Sequence, residues 1–145
     1  LELLKISTKG KWPELSIASR RIHNRGEKEL VFFLTDMYED VSELSDFVKN
    51  LKTANNEVVV LQIMTGSEMD FDYKKSVTFE DLETGVKVKV DVNKVKATYL
   101  KNLNEKIEQT KERLLSQGVH YHLFRMDNDL SNALQLFLKE RIRLT

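Results

Sequence analysis

Cysteine is absent from the chain, and with it go disulfides, thiolate nucleophiles and thiolate metal sites. Charge of one sign is also missing. Lysine plus arginine and aspartate plus glutamate stand at 23 each, so no net field gathers nucleic acid or an anionic membrane. No run approaches the roughly 18 consecutive apolar residues that a membrane span requires, and no basic, apolar, small-residue leader opens the chain. With five glycines in all, neither of the strongest strand candidates is followed by the glycine-rich turn that aims backbone amides at a phosphate. A Gly-x-Ser-x-Gly elbow is lacking too, which leaves no nucleophilic triad to assemble.

What is present suits a soluble α/β domain. Hydrophobic residues at 41% allow a real core, and charged residues at 32% supply a solvated surface. A length of 145 residues makes one domain or a large part of one, and no linker divides it. Leu1 to Ile6 already reads as packing material, so the sequence is expected to continue upstream.

Hydrophobic spacing orders the elements. Pro13, the only proline, suits a first helical position, with Leu15, Ala18 and Ile22 at helical spacing and Gly26 as a cap. Leu30-Val31-Phe32-Phe33-Leu34 is a continuous apolar run, which predicts a strand covered on both faces. Asp40 and Glu43 form a capping-box pattern ahead of a helix face at Val41, Leu44, Phe47, Val48 and Leu51. Glu57 to Met64 is a second buried parallel strand, rich in β-branched residues. The period then changes: Val77 and Phe79, and Val86, Val88 and Val90, alternate with polar residues around Glu83-Thr84-Gly85, predicting an antiparallel hairpin. Val95, Tyr99, Leu103, Ile107 and Leu114 mark one long helix from Asn93 to Gln117, ended by Gly118. Val119, Tyr121 and Leu123 give a third strand. Leu130, Ala133, Leu134, Phe137 and Leu138 give a terminal helix capped by Asp127, Asn128 or Asp129. Helices alternating with buried strands produce a doubly wound parallel sheet.

Ligands of such sheets bind beyond the carboxyl ends of the strands. The loops there hold Thr35, Asp36, Glu39, Glu68, Asp70, Asp127 and Asp129. An acidic rim of this kind suits a hard cation such as magnesium, held through oxygen; the plainer reading is that these carboxylates cap helices and turn the chain. His120 and His122 share a strand face and could bind a metal, although no third ligand adjoins them. His23 sits late in a helix, where the dipole favours a cation. Glu80, Asp81 and Glu83 crowd an exposed turn, a poor place to separate two carboxylate pKa values. Arg20, Arg21 and Arg25, without interleaved aromatics, read as a solvated helix face. Trp12 reads as an anchor at the entry of the first helix.

The stretch Phe79-Glu80-Asp81-Leu82-Glu83-Thr84-Gly85, with Val90-Asp91 and Tyr99 following, resembles the hairpin signature of domain of unknown function family 58. These are bacterial, von Willebrand factor A-like proteins associated with MoxR ATPases. Arg20-Arg21 through Gly26 before Leu34-Thr35-Asp36, and Val58 to Gln62 leading to Glu68-Met69-Asp70-Phe71, extend the likeness. Asp127 with Leu130, Ala133-Leu134, Leu138 and Arg141 is similar to the family's closing segment. The resemblance implies residues 1–145 as the C-terminal part of a single von Willebrand factor A-like domain: a Rossmann-like three-layer α/β/α sandwich with its last three parallel strands here, an inserted hairpin, and its first three strands upstream. It also implies a magnesium site built from three loops, with Asp36, and Thr35 beside it, in the third. The segment from Thr8 to Pro13 is similar to the second loop, with Trp12 where the family has threonine, and the Asp-x-Ser-x-Ser loop is not in this sequence.

The function that follows from the resemblance is an adaptor, not an enzyme, working with a MoxR-type AAA+ ATPase in bacterial complex assembly or envelope processes. Asp36, Tyr38, Glu39, Glu68, Asp70 and Asp127 form the expected interaction rim. The implied location is the bacterial cytoplasm, with membrane association of a longer protein as the variant. The alternative is a metal-dependent or phosphotransfer enzyme using Asp36. A third possibility is a homodimer through the exposed edge of the Leu30 to Leu34 strand.

Overall fold

The computed structural model describes residues 28–37, 41–81, 84–129, 131, 135 and 137–139. The expected Pro13 helix, the Asp40 cap, Tyr38 and Glu39, Leu82-Glu83 and most of the last helix lie outside the described residues.

Three parallel strands form the main sheet: β1 (Glu29–Thr35), β2 (Asn56–Met64) and β5 (His120–Arg125), in the order β1-β2-β5. Helix α1 (Val41–Leu51) connects β1 to β2. A short helix α2 (Gly66–Asp70), the hairpin β3 (Ser76–Glu80) and β4 (Lys87–Asp91), and the long helix α3 (Val92–Ser116) lie between β2 and β5. Both crossovers step the same way across the sheet, and right-handed crossovers in one direction put their helices on one face. The core agrees with that expectation. Leu44, Val48 and Leu51 of α1 and Leu114 of α3 pack in one cluster with Val58 and Val60 of β2 and Tyr121 of β5. The mixed α/β class and the parallel pairing, in register from Glu29↔Asn56 to Thr35↔Gln62 and from Val59↔His120 to Met64↔Arg125, are therefore as the sequence predicts.

β2 is the centre of the sheet because its sequence tolerates cover on both sides. Val58, Val59 and Val60 are fully buried, each side chain contributing about 1.5–3 kcal/mol relative to exposure. β1 corrects the sequence reading. Its residues Val31 and Phe33 pack on the core cluster, whereas Leu30, Phe32 and Leu34 on the other face are exposed, Leu34 by 61%. Among the described residues, the cover this face receives is Phe137, whose ring meets Phe32 edge-on at 5.6 Å and His122 at 5.1 Å. Among those residues, too, β1 is one edge of the sheet and β5 the other.

The hairpin is a separate antiparallel ribbon, paired from Ser76↔Asp91 to Glu80↔Lys87. Two strands alone are marginal, and aromatic packing supplies the rest. Phe71 lies 4.4 Å from Tyr99 of α3, 5.1 Å from Tyr73 and 6.2 Å from Phe79, ring centre to ring centre. Among the described residues, no helix is long and apolar enough to cross a membrane.

Candidate functional site

At the carboxyl rim of the sheet, β1 ends in a backbone turn rather than a simple loop. Met37 adopts φ 62, a left-handed conformation costly for a side chain with a Cβ. Two bonds hold it. The Met37 N–H donates to Thr35 Oγ1 at 2.9 Å, and Lys106 Nζ of α3 donates to the Met37 carbonyl at 3.1 Å. Beside this turn lies a cavity of about 240 Å³ lined by Asp36, Met37, Gln62, Met64, Glu68, Leu103, Lys106, Ile107 and Thr110. Its wall includes buried polar groups that are satisfied. The Tyr121 hydroxyl donates to Gln62 Oε1 at 2.6 Å, and the Thr110 hydroxyl to the Lys106 carbonyl at 2.7 Å. Burial pushes the Tyr121 phenol well up from its ordinary range, with a smaller contribution from Glu108.

The expected acidic rim is assembled in pieces with different tasks. Thr65 caps α2, its hydroxyl oxygen accepting from the Glu68 N–H, while Glu68 Oε2 accepts from the Thr65 N–H at 2.7 Å. This reciprocal capping box starts a helix of five residues where the sequence reading expects only a loop. Asp70, at the end of α2, meets Arg125, at the end of β5. Arg125 Nη1 and Nη2 donate to the two Asp70 oxygens at 3.0 and 2.5 Å, and its Nε donates to both Asp127 oxygens at 2.9 Å. The guanidinium holds the Asp70 carboxyl below its usual value, and both carboxylates raise Arg125. Gly66 sits hard against this fork: a Cβ there would stand 2.5 Å from Arg125 Nη2 and from Asp127 Oδ2. Sequence reasoning names the two aspartates and passes over the arginine, which lies 55 residues from Asp70.

Magnesium asks for octahedral oxygen coordination, usually through carboxylates plus water. Thr35 and Asp36 stand together at the end of β1, but Glu68 is engaged in its cap and Asp70 and Asp127 embrace a cation already, Arg125. No group of three His, Asp or Glu side chains suited to a metal ion occurs among the described residues. Among the described residues, then, the carboxylates of this rim add no third ligand to Thr35 and Asp36. Of the two histidines, His120 Nε2 lies 3.8 Å from Glu57 Oε1, and His122 packs on Phe137. For an enzyme built on Asp36, the cavity does bring Lys106 and Glu68 to the same wall.

A second depression, of about 730 Å³, lies between the hairpin and α3. Phe71, Tyr73, Phe79, Tyr99, Val90 and Val95 make its surface, and Glu68, Lys94, Thr98 and Asn102 its rim. Tyr99 is raised from its ordinary value by burial first, then by Glu68 and Tyr73. Phe79 is 39% and Val88 53% exposed. The sequence reading takes the alternation of Val77 and Phe79, and of Val86, Val88 and Val90, as a hairpin and gives its apolar side no role; the structure places Phe79 and Val90 beside Phe71, Tyr73 and Tyr99. Comparison with protein-family models, curated proteins and solved structures returns no match for this chain.

Proposed function

We propose that this chain is a protein-interaction module of von Willebrand factor A-like build that works beside a MoxR-type AAA+ ATPase. The partner class rests on the family resemblance centred on Phe79 to Gly85. The observation that carries the binding role is the hairpin surface itself. Interfaces that bind tightly have an aromatic centre that loses its water and a polar rim that stays wet. Phe79, with the half-buried Tyr73 and Tyr99 beside it over the buried Phe71, supplies such a centre, and Lys94, Thr98, Asn102 and Glu68 such a rim. The von Willebrand factor A assignment is supported by the parallel order of β1, β2 and β5 with Asp36 at the carboxyl rim.

Calorimetry tests the reading with the purified MoxR-type ATPase of the same genome, with and without nucleotide and magnesium. Saturable binding is expected, and Phe79→Ala should weaken it by about 2 kcal/mol, roughly thirtyfold, as removal of a central anchor does. Absence of binding in every nucleotide state would overturn the reading. Labelling of Asp36 by an acyl-phosphate donor would replace it with a phosphotransfer one.

A further inference from the structure

The hairpin has two outer edges, and they differ. The hydrogen-bond phase of the ribbon is set at both ends: Val92 N–H donates to the Lys75 carbonyl at 3.0 Å, and Asp81 N–H to the Val86 carbonyl at 2.9 Å. In an antiparallel pair, bonded and non-bonded residues alternate. Val77 and Phe79 therefore bond inward to Val90 and Val88, and the backbone groups of Ser76, Thr78 and Glu80 face outward on β3. On β4 the outward positions are Lys87, Lys89 and Asp91.

Lysine on an edge strand is a common guard against strand addition. β4 carries two and β3 none. Glu80, the one charge on β3, is neutralised within the ribbon by Lys87 at 3.1 Å. Pairing of β4 with its own copy about Lys89 would set Lys89 against Lys89, a like-charge pair of the kind that opposes association. β3 behaves differently when laid antiparallel on itself about Thr78. Thr78 then faces Thr78, Val77 faces Phe79, and Ser76 faces Glu80; no like charges meet, and the threonine and aromatic-to-β-branched pairs are among the favourable cross-strand combinations.

From this edge chemistry we infer that a second copy of this chain adds to β3, two-fold about Thr78, so that the two hairpins become one continuous antiparallel sheet β4-β3-β3-β4. The outward N–H and C=O groups of Ser76, Thr78 and Glu80 gain partners from the other copy. The contact is isologous, so it closes at the dimer and leaves only the lysine-guarded β4 edges outside. It also accounts for the exposure of Phe79, whose ring gains Val77 of the second copy as a neighbour. The ribbon is held for docking by its aromatic contacts to α3 and by the Val92 bond at its base. Strands of five residues give a small interface, so the dimer is concentration-dependent rather than permanent. The surface differs from the β1 edge that the sequence suggests; it shares Phe79 with the groove of the ATPase reading, but its pairing is made by backbone edge groups that the groove does not use.

The absence of native cysteine makes the test direct. Thr78→Cys places two thiols opposite each other, with Cα atoms about 5.5 Å apart, inside the span that a disulfide bridges. Under a glutathione redox buffer this variant should cross-link into dimers at least tenfold faster than Lys89→Cys on the guarded edge. Sedimentation velocity on the wild type should show the mass doubling across the micromolar range. Thr78→Lys, which puts like charges on the axis at an exposed position, should stay monomeric with an unchanged circular dichroism spectrum and with the melting temperature that the wild type has when diluted to a monomer. A wild type that remains monomeric throughout, equal cross-linking at Thr78→Cys and Lys89→Cys, or a Thr78→Lys protein that is folded and still dimeric would each overturn the inference. ATPase binding by monomeric Thr78→Lys is a separate readout, so either proposal can fail alone.

Discussion

Replacing Tyr121 by phenylalanine removes one oxygen and isolates another. Tyr121 is 9% and Gln62 4% exposed, and the phenol donates to Gln62 Oε1 at 2.6 Å. Without that donor the amide oxygen loses its phenol partner at the wall of the carboxyl-rim cavity, and only water from that cavity can replace the bond. An unsatisfied buried group of this kind costs about 1–3 kcal/mol. Gln62→Leu strands the phenol instead and should cost a similar amount. The double variant removes both polar ends together and should lie near the wild type. The pair is therefore expected to show a coupling energy of about 2 kcal/mol, within the range found for contacting residues. Urea denaturation followed by circular dichroism measures all corners of the cycle, with an unchanged slope as the check on two-state behaviour. Each single variant should lower the melting temperature by roughly 2–12 °C, taking about 2–4 °C per kcal/mol for a chain near this size. Single costs that simply add in the double variant would refute the reasoning, because the stabilisation would then be packing and not the shared bond.

Stability at high pH should respond to the same residue. Burial raises the Tyr121 phenol in the folded state, so the unfolded chain releases its proton first, near the ordinary tyrosine value of about 10. The contribution is fully present below that value and lost as pH climbs toward the raised one, with a slope of up to about 1.4 kcal/mol per pH unit. Tyr121→Phe should flatten this alkaline limb, and urea midpoints that fall in parallel for both proteins would refute it. At the acid end the sign reverses: the hydrogen bonds from Arg125 lower Asp70, so their contribution is present above the unfolded aspartate value of about 3.9 and lost as pH falls through the lowered one. Arg125→Gln should show a shallower loss of stability there than the wild type, measured by the same midpoints, and equal slopes would remove the fork from the account.

Elements whose cause is local were legible in the sequence. The run from Val58 to Val60 is buried whichever helix covers it, and the two-residue period of Val77, Phe79, Val88 and Val90 needs only the ribbon to express it. The spacing of Leu103, Ile107 and Leu114 likewise carries α3. Cover from distant chain is a different matter. The apolar run of β1 reads as two-sided because Leu30, Phe32 and Leu34 are as apolar as Val31 and Phe33; what lies over each face is decided by other elements. Helix α2 is too short for a periodic signal, and only the Thr65-to-Glu68 capping pattern announces it. The contacts that shape the carboxyl rim are more remote still, Lys106 reaching Met37 across 69 positions and Arg125 reaching Asp70 across 55. An arginine at the end of a strand carries no mark in the sequence of the carboxylates it will meet.

The segment from Thr65 to Phe71 gives the hairpin the fixed placement that the proposed binding role requires. Two-stranded ribbons ordinarily flex, and ordering them on contact with a partner consumes part of the interaction energy. Here the connection between sheet and ribbon is fixed three times over: by the capping box at Thr65 and Glu68, by the Arg125 fork on Asp70, and by the buried ring of Phe71 against Tyr99. Glu68 lines both the rim cavity beside Asp36 and the aromatic groove beside Tyr99, so the two depressions share a wall. Substitutions in this short helix will therefore act on the presentation of Phe79 before they act on the parallel sheet. On the proposed reading, a partner that meets Phe79 in place would not have to order the ribbon, and that preorganisation would offset the small size of the surface.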